Sequence, residues 1–133
     1  MKKILFVCTG NICRSPTAEA VVRELLDQSE LAGLVTVDSC GITGYHEGEP
    51  PDQRSMKAAK NRGYHMSGIR ARAINKDDFV KNDLILAMDR GHYQSLRAMV
   101  PEYNATEISL FLEYVDYHEA QDVPDPYYGS ASG

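Results

Sequence analysis

Cysteine is scarce in this chain of 133 residues, and long apolar runs are absent. The three cysteines, Cys8, Cys13 and Cys40, are too few for a disulfide framework, so we expect a reducing, cytoplasmic setting. The apolar run Ile4 to Val7 is too short for a signal peptide, and no run approaches the ~20 residues of a membrane span. These absences favour one soluble globular domain over residues 1–133.

The chain also lacks an excess of positive charge, since 14 basic side chains face 19 acidic ones and the net charge is -5. Nonspecific binding to nucleic acid or to an anionic membrane needs a positive surface, so we expect neither partner. There is no C-x-x-C motif, and the histidines do not have the spacing of metal ligands. We therefore expect no metal and no cofactor, and we interpret the histidines as surface or half-buried structural residues (His46, His65, His92 and His118).

What the chain does have is an alternation of strand-length apolar runs with helical patterns. Strands are predicted over 2–8, 34–39, 83–89 and, with helix as the alternative, 107–114, and helices over 52–64 and 90–99. This alternation predicts an α/β fold of three layers: a central four-stranded parallel sheet with helices on both faces, as in Rossmann-like domains. Ligands of such sheets bind beyond the carboxyl ends of the strands, where Cys8 ends the first one.

The start of the first helix is marked by Ser15, a good N-cap, and by Pro16, which suits the first helical position. An apolar stripe follows at helical spacing, formed by Ala18, Val21, Val22, Leu25 and Leu26. The segment before it, CTGNICRS, is therefore predicted to be a loop that ends at a helix N-terminus. Backbone N–H groups of such a loop can converge on a tetrahedral oxyanion of phosphate size, and the helix dipole adds positive charge there.

The residue types in this loop suit a reaction on phosphorus. Gly10 and Asn11 tolerate the left-handed backbone angles of an anion cradle. Arg14 would bind two phosphate oxygens with its planar fork, and positive surroundings would favour the nucleophilic thiolate of Cys8. Ser15 would donate a hydrogen bond to that sulfur. The plainer alternative is that Cys8 is a small hydrophobe at a strand end and Arg14 forms a surface ion pair.

The segment VCTGNICRSP, Val7 to Pro16, resembles the signature of the low-molecular-weight protein tyrosine phosphatase family. The similarity extends over essentially the whole chain, through DSCG, PPDQR, ARAINKDDF, LILAMD and DPYYGS. The resemblance implies that Cys8 attacks phosphorus and forms a cysteinyl-phosphate. Asp125 of the DPYY segment would protonate the leaving phenolate and then activate the hydrolytic water. From the sequence alone, Asp125 would be interpreted as the first residue of a proline turn.

The resemblance also implies supporting roles. Asn11, Ser15 and Ser39 would hold the loop in shape by hydrogen bonds, and Asp89 would act through the arginine, either instead of or together with capping the helix that follows. The substrate cleft would be lined by Thr9, Ile12, Tyr45, His46, Tyr127 and Tyr128. Aromatic walls suit a phenyl ring, and they make a slot deep enough for phosphotyrosine but too deep for phosphoserine. Without the resemblance, the last two tyrosines would be interpreted as exposed tail residues.

The two remaining cysteines receive different interpretations. In the family, the cysteine that matches Cys13 can form a reversible disulfide with the nucleophile, which implies redox regulation of Cys8. The alternative interpretation of Cys13, as a packed thiol of the loop without a redox role, has equal support. Cys40 is expected in the core.

The chain departs from the family in two places. Family members often have a histidine where this chain has Ile69 or Arg70, which affects only the fine ordering of the loop. They also usually continue beyond DPYYGS with an amphipathic helix, so we expect a C-terminally short domain that lacks this helix. Apolar surface exposed in this way would lower stability and favour a weak homodimer.

Several other functions use a similar loop. An arsenate reductase needs further cysteines, and none follows Cys40. Protein-arginine phosphatases tend to have threonine in place of Ile12 and another residue in place of Tyr127. A cysteine phosphocarrier should lack a hydrolytic acid, so Arg14 together with Asp125 argues against it. A further alternative is an inactive phosphate-binding module, which only an activity assay can exclude. The favoured expectation is an enzyme that acts on tyrosine-phosphorylated proteins or peptides and releases inorganic phosphate.

Overall fold

Parallel strands form the centre of the computed structural model, which describes residues 2–101 and 106–114. Within these residues the sheet has the order β2-β1-β3-β4, with strands β1 (Lys2–Cys8), β2 (Val35–Gly41), β3 (Leu84–Ala87) and β4 (Glu107–Leu110). The helices are α1 (Arg14–Asp27), α2 (Gln53–Asn61), α3 (Asp78–Lys81) and α4 (Arg90–Met99), and a 3-10 helix covers Phe111–Tyr114. The predicted α/β fold with a four-stranded parallel sheet is confirmed.

The central strand β1 is buried on both faces, as its continuous apolar sequence predicts. Leu5 and Val7 point into a cluster that includes residues of α3 and α4. Phe6 and Cys8 point into the opposite cluster, against which the α1 residue Val22 packs. Helices therefore cover both faces of the sheet. No helix in the described ranges is long and apolar enough to span a bilayer.

The strand order places a topological switch point at the end of β1. The chain leaves β1 to form β2 on one side of it. After β2, the chain crosses to the other side of β1 and forms β3 there, so the strand order reverses at β1. At such a point the loops after the strands separate and leave a crevice for a ligand. Cys8, the last residue of β1, is therefore at the strand end where a ligand of such a sheet binds.

The start of α1 differs from the prediction. The helix begins at Arg14 with Cys13 as its N-cap, and no side chain caps it. Ser15 is therefore inside the first turn rather than before it, and the prediction that it is the N-cap is wrong. Its hydroxyl bonds elsewhere, as described below. Pro16 is the third residue of the helix and not the first, as we predicted, and it is tolerated there because the first-turn N–H groups have no intrahelical acceptor.

Other element boundaries follow from tertiary pairing that local patterns do not show. The predicted strand over 107–114 is strand only for Glu107–Leu110, and the remainder is 3-10 helix. β2 extends beyond its predicted end to Gly41, because that glycine pairs with Cys8. The helix over 52–64 is confirmed, shortened by Asp52 as its N-cap and by Gly63, whose φ is 90°. The short helix α3 was not predicted.

Candidate active site

Cys8 lies at the carboxyl end of β1 with its sulfur against a buried hydroxyl. The Sγ atom is 3.0 Å from Ser15 Oγ, and both side chains are buried. Ser15 Oγ is also positioned to donate to the backbone oxygen of Cys40 on β2, at 3.2 Å. A hydroxyl has only one proton, so it can serve one of these two acceptors at a time. A Cys8 thiolate accepts but cannot donate, and it would therefore draw the Ser15 proton towards sulfur.

Asn11 organises the loop between β1 and α1. Its side chain is 0% exposed and its φ is 61°, a left-handed conformation that asparagine tolerates better than most residues. Nδ2 donates to Ser15 Oγ at 2.8 Å and to Ser39 Oγ at 3.0 Å. Oδ1 accepts from the backbone N–H of Arg72 at 3.1 Å. The amide thus ties the loop to α1, β2 and the segment after α2.

Gly10, in contrast, does not have the left-handed φ that we predicted for it. A side chain at this position would instead meet the His46 ring, because an added Cβ would lie 2.8 Å from Cδ2 of His46 unless that ring shifted. The imidazole of His46 covers the loop backbone and pairs with Glu49, Nδ1 to Oε2, at 2.9 Å. The prediction of left-handed angles therefore holds for Asn11 and is wrong for Gly10.

Arg14 is buried at the start of α1 and held by an ion pair. Its Nη1 donates to Asp89 Oδ2 at 2.9 Å, and its Nη2 lies 3.4 Å from Thr9 Oγ1. The other oxygen of Asp89, Oδ1, accepts from the backbone N–H of His92 at 2.8 Å and so caps α4. The two alternative roles of Asp89, arginine partner and N-cap, are both present.

Three residues near this loop were missed by the sequence interpretation. Glu19 is a buried carboxylate that accepts from Ser39 Oγ at 2.6 Å and from the guanidinium of Arg23. Arg72 binds both oxygens of the Asp78 carboxylate, at 3.0 and 2.9 Å. This bidentate pairing with Asp78 raises the pKa of Arg72 above its ordinary value. The third is His92. In the sequence, the only indication that it lies near the loop is its position three residues after Asp89.

The residues expected around the cleft are only partly described. Tyr45 is 86% exposed. The backbone oxygen of Ile12 accepts from the Asp52 N–H at 2.7 Å, which ties the loop to the start of α2. Asp125, Tyr127 and Tyr128 lie outside the described residues. In the described ranges, no three His, Cys, Asp or Glu side chains are grouped so that they could hold a metal ion.

The three cysteines are buried and form no disulfide. Cys40 belongs to the core, as expected, and faces the cluster on the opposite side of the sheet from Cys8. Burial raises the pKa of the Cys40 thiol far above its ordinary value, so it stays protonated and unreactive. Cys13 is the N-cap residue of α1.

Comparison with known proteins identifies the family of this chain. Residues 3–133 match the model of the family described as "Low molecular weight phosphotyrosine protein phosphatase". The chain belongs to the low molecular weight phosphotyrosine protein phosphatase family. The low molecular weight protein-tyrosine-phosphatase YfkJ of Bacillus subtilis is 42% identical to it over 96% of this chain and 82% of that protein.

Solved structures agree with this assignment to the low molecular weight phosphatases. The crystal structure of Bacillus subtilis YfkJ has a TM-score of 0.91 and covers 96% of this chain and 80% of that chain. A protein tyrosine phosphatase from Entamoeba histolytica has a TM-score of 0.94 at 39% identity, over 99% of this chain and 84% of that chain. An arginine phosphatase from Drosophila has a TM-score of 0.88 at 33% identity, over 96% and 82% respectively.

Proposed function

We propose that this low molecular weight phosphatase hydrolyses phosphotyrosine in proteins, and aryl phosphates, through a cysteinyl-phosphate on Cys8. The observation that carries the proposal is the buried Cys8 sulfur 3.0 Å from the Ser15 hydroxyl at the switch point of the sheet. Arg14 follows on the same loop with its guanidinium held by Asp89. A nucleophile, a hydroxyl donor and a fixed cation at one helix N-terminus suit attack on a phosphate monoester.

The phosphate would bind in the loop of residues 9–15. Its oxygens would accept from the loop N–H groups, and Arg14 would contribute guanidinium N–H groups to two of them. Charge on the transferring phosphoryl group is spread over its equatorial oxygens, so fixed donors aimed at these oxygens lower the barrier. The supporting hydrogen bonds of Asn11 and Ser39 keep those donors in place without reorganisation.

The reaction would take two displacements at phosphorus. In the first, the sulfur of Cys8 forms a bond to phosphorus while the bond to the phenolic oxygen breaks, and Asp125 gives its proton to that oxygen. In the second, Asp125 takes a proton from water, the water oxygen attacks phosphorus, and the bond from sulfur to phosphorus breaks. Inorganic phosphate leaves, and the hydrogen bond from Ser15 stabilises the departing thiolate.

Substrate choice would come from the walls of the cleft. Its walls and rim would be formed around a phenyl ring by Thr9, Ile12, Tyr45, His46, Tyr127 and Tyr128. Support for an open aromatic rim comes from the exposure of Tyr45, together with the position of His46 over the loop. A deep aromatic slot would select a long, planar phosphotyrosine side chain over phosphoserine.

The experiment that tests the function compares wild type with Cys8→Ser on p-nitrophenyl phosphate and on phosphotyrosine, phosphoserine and phosphoarginine peptides. Cys40→Ala is the matched control, because it removes a buried thiol that has no role in the reaction. We expect activity towards the aryl phosphate and phosphotyrosine in wild type and control, and none in Cys8→Ser. Mass spectrometry of acid-quenched wild type should find phosphate on Cys8. Wild-type turnover no faster than that of Cys8→Ser, or a preference for phosphoarginine, would refute the proposal.

The setting of this enzyme is part of the same proposal. We infer that residues 1–133 form a single domain that acts in the cytoplasm on tyrosine-phosphorylated proteins or peptides. Under peroxide, Cys8 and Cys13 would join in a disulfide while the peroxide is reduced to water, and a thiol reductant would restore activity. Cys13→Ser should then lose the reversible part of this inhibition. A weak homodimer also stays a prediction, to be tested by sedimentation velocity.

A further inference from the structure

A buried histidine touches the phosphate-binding loop from the start of α4. Among the histidines in the described ranges, His92 is the buried one, with 6% of its surface exposed. It lies in the first turn of α4, three residues after Asp89. The cost of burying a polar ring is offset only where its nitrogen atoms face suitable partners. The identity of those partners therefore indicates what the ring does.

Its partners are two residues of the loop and the aspartate that holds the arginine. Nε2 lies 2.8 Å from Thr9 Oγ1 and 3.4 Å from Arg14 Nη2. Nδ1 lies 3.2 Å from Asp89 Oδ1, while Asp89 Oδ2 binds the Nη1 atom of Arg14. The imidazole thus bridges the Nη2 side of the guanidinium and the carboxylate that holds its Nη1 side.

The donor chemistry of these groups selects one form of the ring. A guanidinium has only N–H donors, so the ring nitrogen beside Arg14 is complementary only as an acceptor. The hydroxyl of Thr9 can donate to the same Nε2 atom. The ring proton is then on Nδ1, where it faces the negative Asp89 carboxylate. A neutral imidazole with its proton on Nδ1 matches the donor chemistry and charge of all three neighbours, although the 3.2 Å approach of Nδ1 to Asp89 Oδ1 does not have the geometry of a hydrogen bond. The opposite tautomer places two donors, Nε2–H and the Nη2 group of Arg14, against each other.

We propose that His92 is a positioning residue of the phosphatase, which fixes Thr9 and the Nη2 side of Arg14 through the Nε2 acceptor of its neutral ring. This role rests on the proposed phosphatase function. With Asp89 on one side and His92 on the other, the guanidinium keeps one orientation before phosphate arrives. An oriented arginine binds the transition state without first losing conformational freedom, so removal of the Nε2 acceptor lowers kcat/KM and weakens binding of oxyanions.

Two substitutions separate this role from simple packing. His92→Gln keeps an amide atom at about the place of Nε2, whereas His92→Asn is shorter and keeps a polar atom only near Nδ1. Both residues are neutral amides, so general polarity is matched. His65→Asn, which changes an exposed histidine, is the control for the loss of an imidazole elsewhere. The variants are compared in kcat/KM on p-nitrophenyl phosphate, in the inhibition constant of vanadate, and in thermal unfolding.

We expect His92→Asn to lower kcat/KM about tenfold and to weaken vanadate inhibition by a similar factor, as loss of one hydrogen bond to a charged group predicts. His92→Gln should stay within about threefold of wild type, and His65→Asn should match it. If kcat/KM fell equally in the Gln and Asn variants, and in proportion to their loss of thermal stability, His92 would have a purely structural role and the inference would be overturned. An Asn variant as active as wild type would also overturn it.

A measurement on the resting protein separates failure of this inference from failure of the phosphatase function. The ¹⁵N shifts of the His92 ring, assigned by the loss of their signals in His92→Asn, report which nitrogen carries the proton. We expect protonated Nδ1 and unprotonated Nε2 at neutral pH. A proton on Nε2 would refute the role of His92 even in an active enzyme. If wild type hydrolyses nothing, the phosphatase function fails, and the positioning role fails with it.

Discussion

Replacement of Asn11 should reveal how much of the loop's stability depends on one left-handed residue. Its φ is 61° and its side chain is 0% exposed, so it can neither move to solvent nor relax its backbone freely. Asn11→Gly removes the hydrogen bonds to Ser15 and Ser39 and the acceptor for the Arg72 N–H. At about 1 kcal/mol per net hydrogen bond, the loss of these hydrogen bonds alone should lower the free energy of unfolding by about 3 kcal/mol.

Asn11→Ala loses the same hydrogen bonds and in addition keeps a Cβ at a positive φ. A left-handed alanine costs about 1–2 kcal/mol, while glycine costs about 0.4–1 kcal/mol through the entropy of the unfolded chain. The alanine variant should therefore be less stable than the glycine variant by about 1 kcal/mol. This order is the reverse of that in a helix, where alanine is the more stable of the two.

Urea denaturation of both variants measures these differences, and p-nitrophenyl phosphate turnover follows the consequence for catalysis. The matched control is the same pair of substitutions at Asn61, the last residue of α2, where alanine should be at least as stable as glycine. Both Asn11 variants should also lose activity, because the Ser15 hydroxyl loses the donor that orients it. An alanine variant as stable as the glycine variant would refute the strain argument. Losses below about 1 kcal/mol in both would refute the hydrogen-bond argument.

Three further substitutions test neighbouring contacts. Burial opposes ionisation of Asp52, but hydrogen bonds from the Arg54 side chain and from the N–H groups of Ser55 and Arg54 outweigh it and lower its pKa. Asp52→Ala should therefore lower the free energy of unfolding by about 1 kcal/mol at neutral pH. This difference from wild type should disappear in acid, as the pH falls through the lowered pKa of Asp52. Urea denaturation that gives the same difference at neutral and at acid pH would contradict this. Gly41→Ala should lower turnover of p-nitrophenyl phosphate, because its Cβ would lie 2.7 Å from a backbone oxygen of the phosphate-binding loop, and wild-type turnover argues against that fit. Glu19→Gln should lower the free energy of unfolding by about 1–3 kcal/mol, since an amide group then faces the arginine that the carboxylate binds; unchanged urea denaturation counts against this.

Much of the fold was predictable because its strongest signals are local. The apolar run over β1 and the helical pattern over α4 gave elements that match the structure in type and bounds. The loop chemistry around Cys8 and Arg14 was also visible in a short segment. The family resemblance added Ser39 and Asp89, which contact the loop from distant parts of the chain.

What escaped prediction depends on contacts between distant segments. Thr9 and His92 are 83 positions apart, and nothing in either neighbourhood shows that they meet. Glu19 is on a helix where an exposed glutamate is the usual expectation. Arg23 lies one helical turn away on α1, but only the fold brings Ser39 to the carboxylate. Ser15 is not the N-cap because the helix already begins at Arg14, and its hydroxyl contacts Cys8 Sγ at the end of β1 and the Cys40 carbonyl on β2.

The single proton of Ser15 has a consequence for the strand beside the nucleophile. When Cys8 is a thiol, the hydroxyl is free to donate to the Cys40 carbonyl on β2, and when Cys8 is a thiolate the sulfur takes that donation. The carbonyl of a core residue with no part in the chemistry would thus gain and lose a hydrogen bond in each turnover. An isotope label on that carbonyl, followed by infrared spectroscopy, would record the charge of the nucleophile from the neighbouring strand.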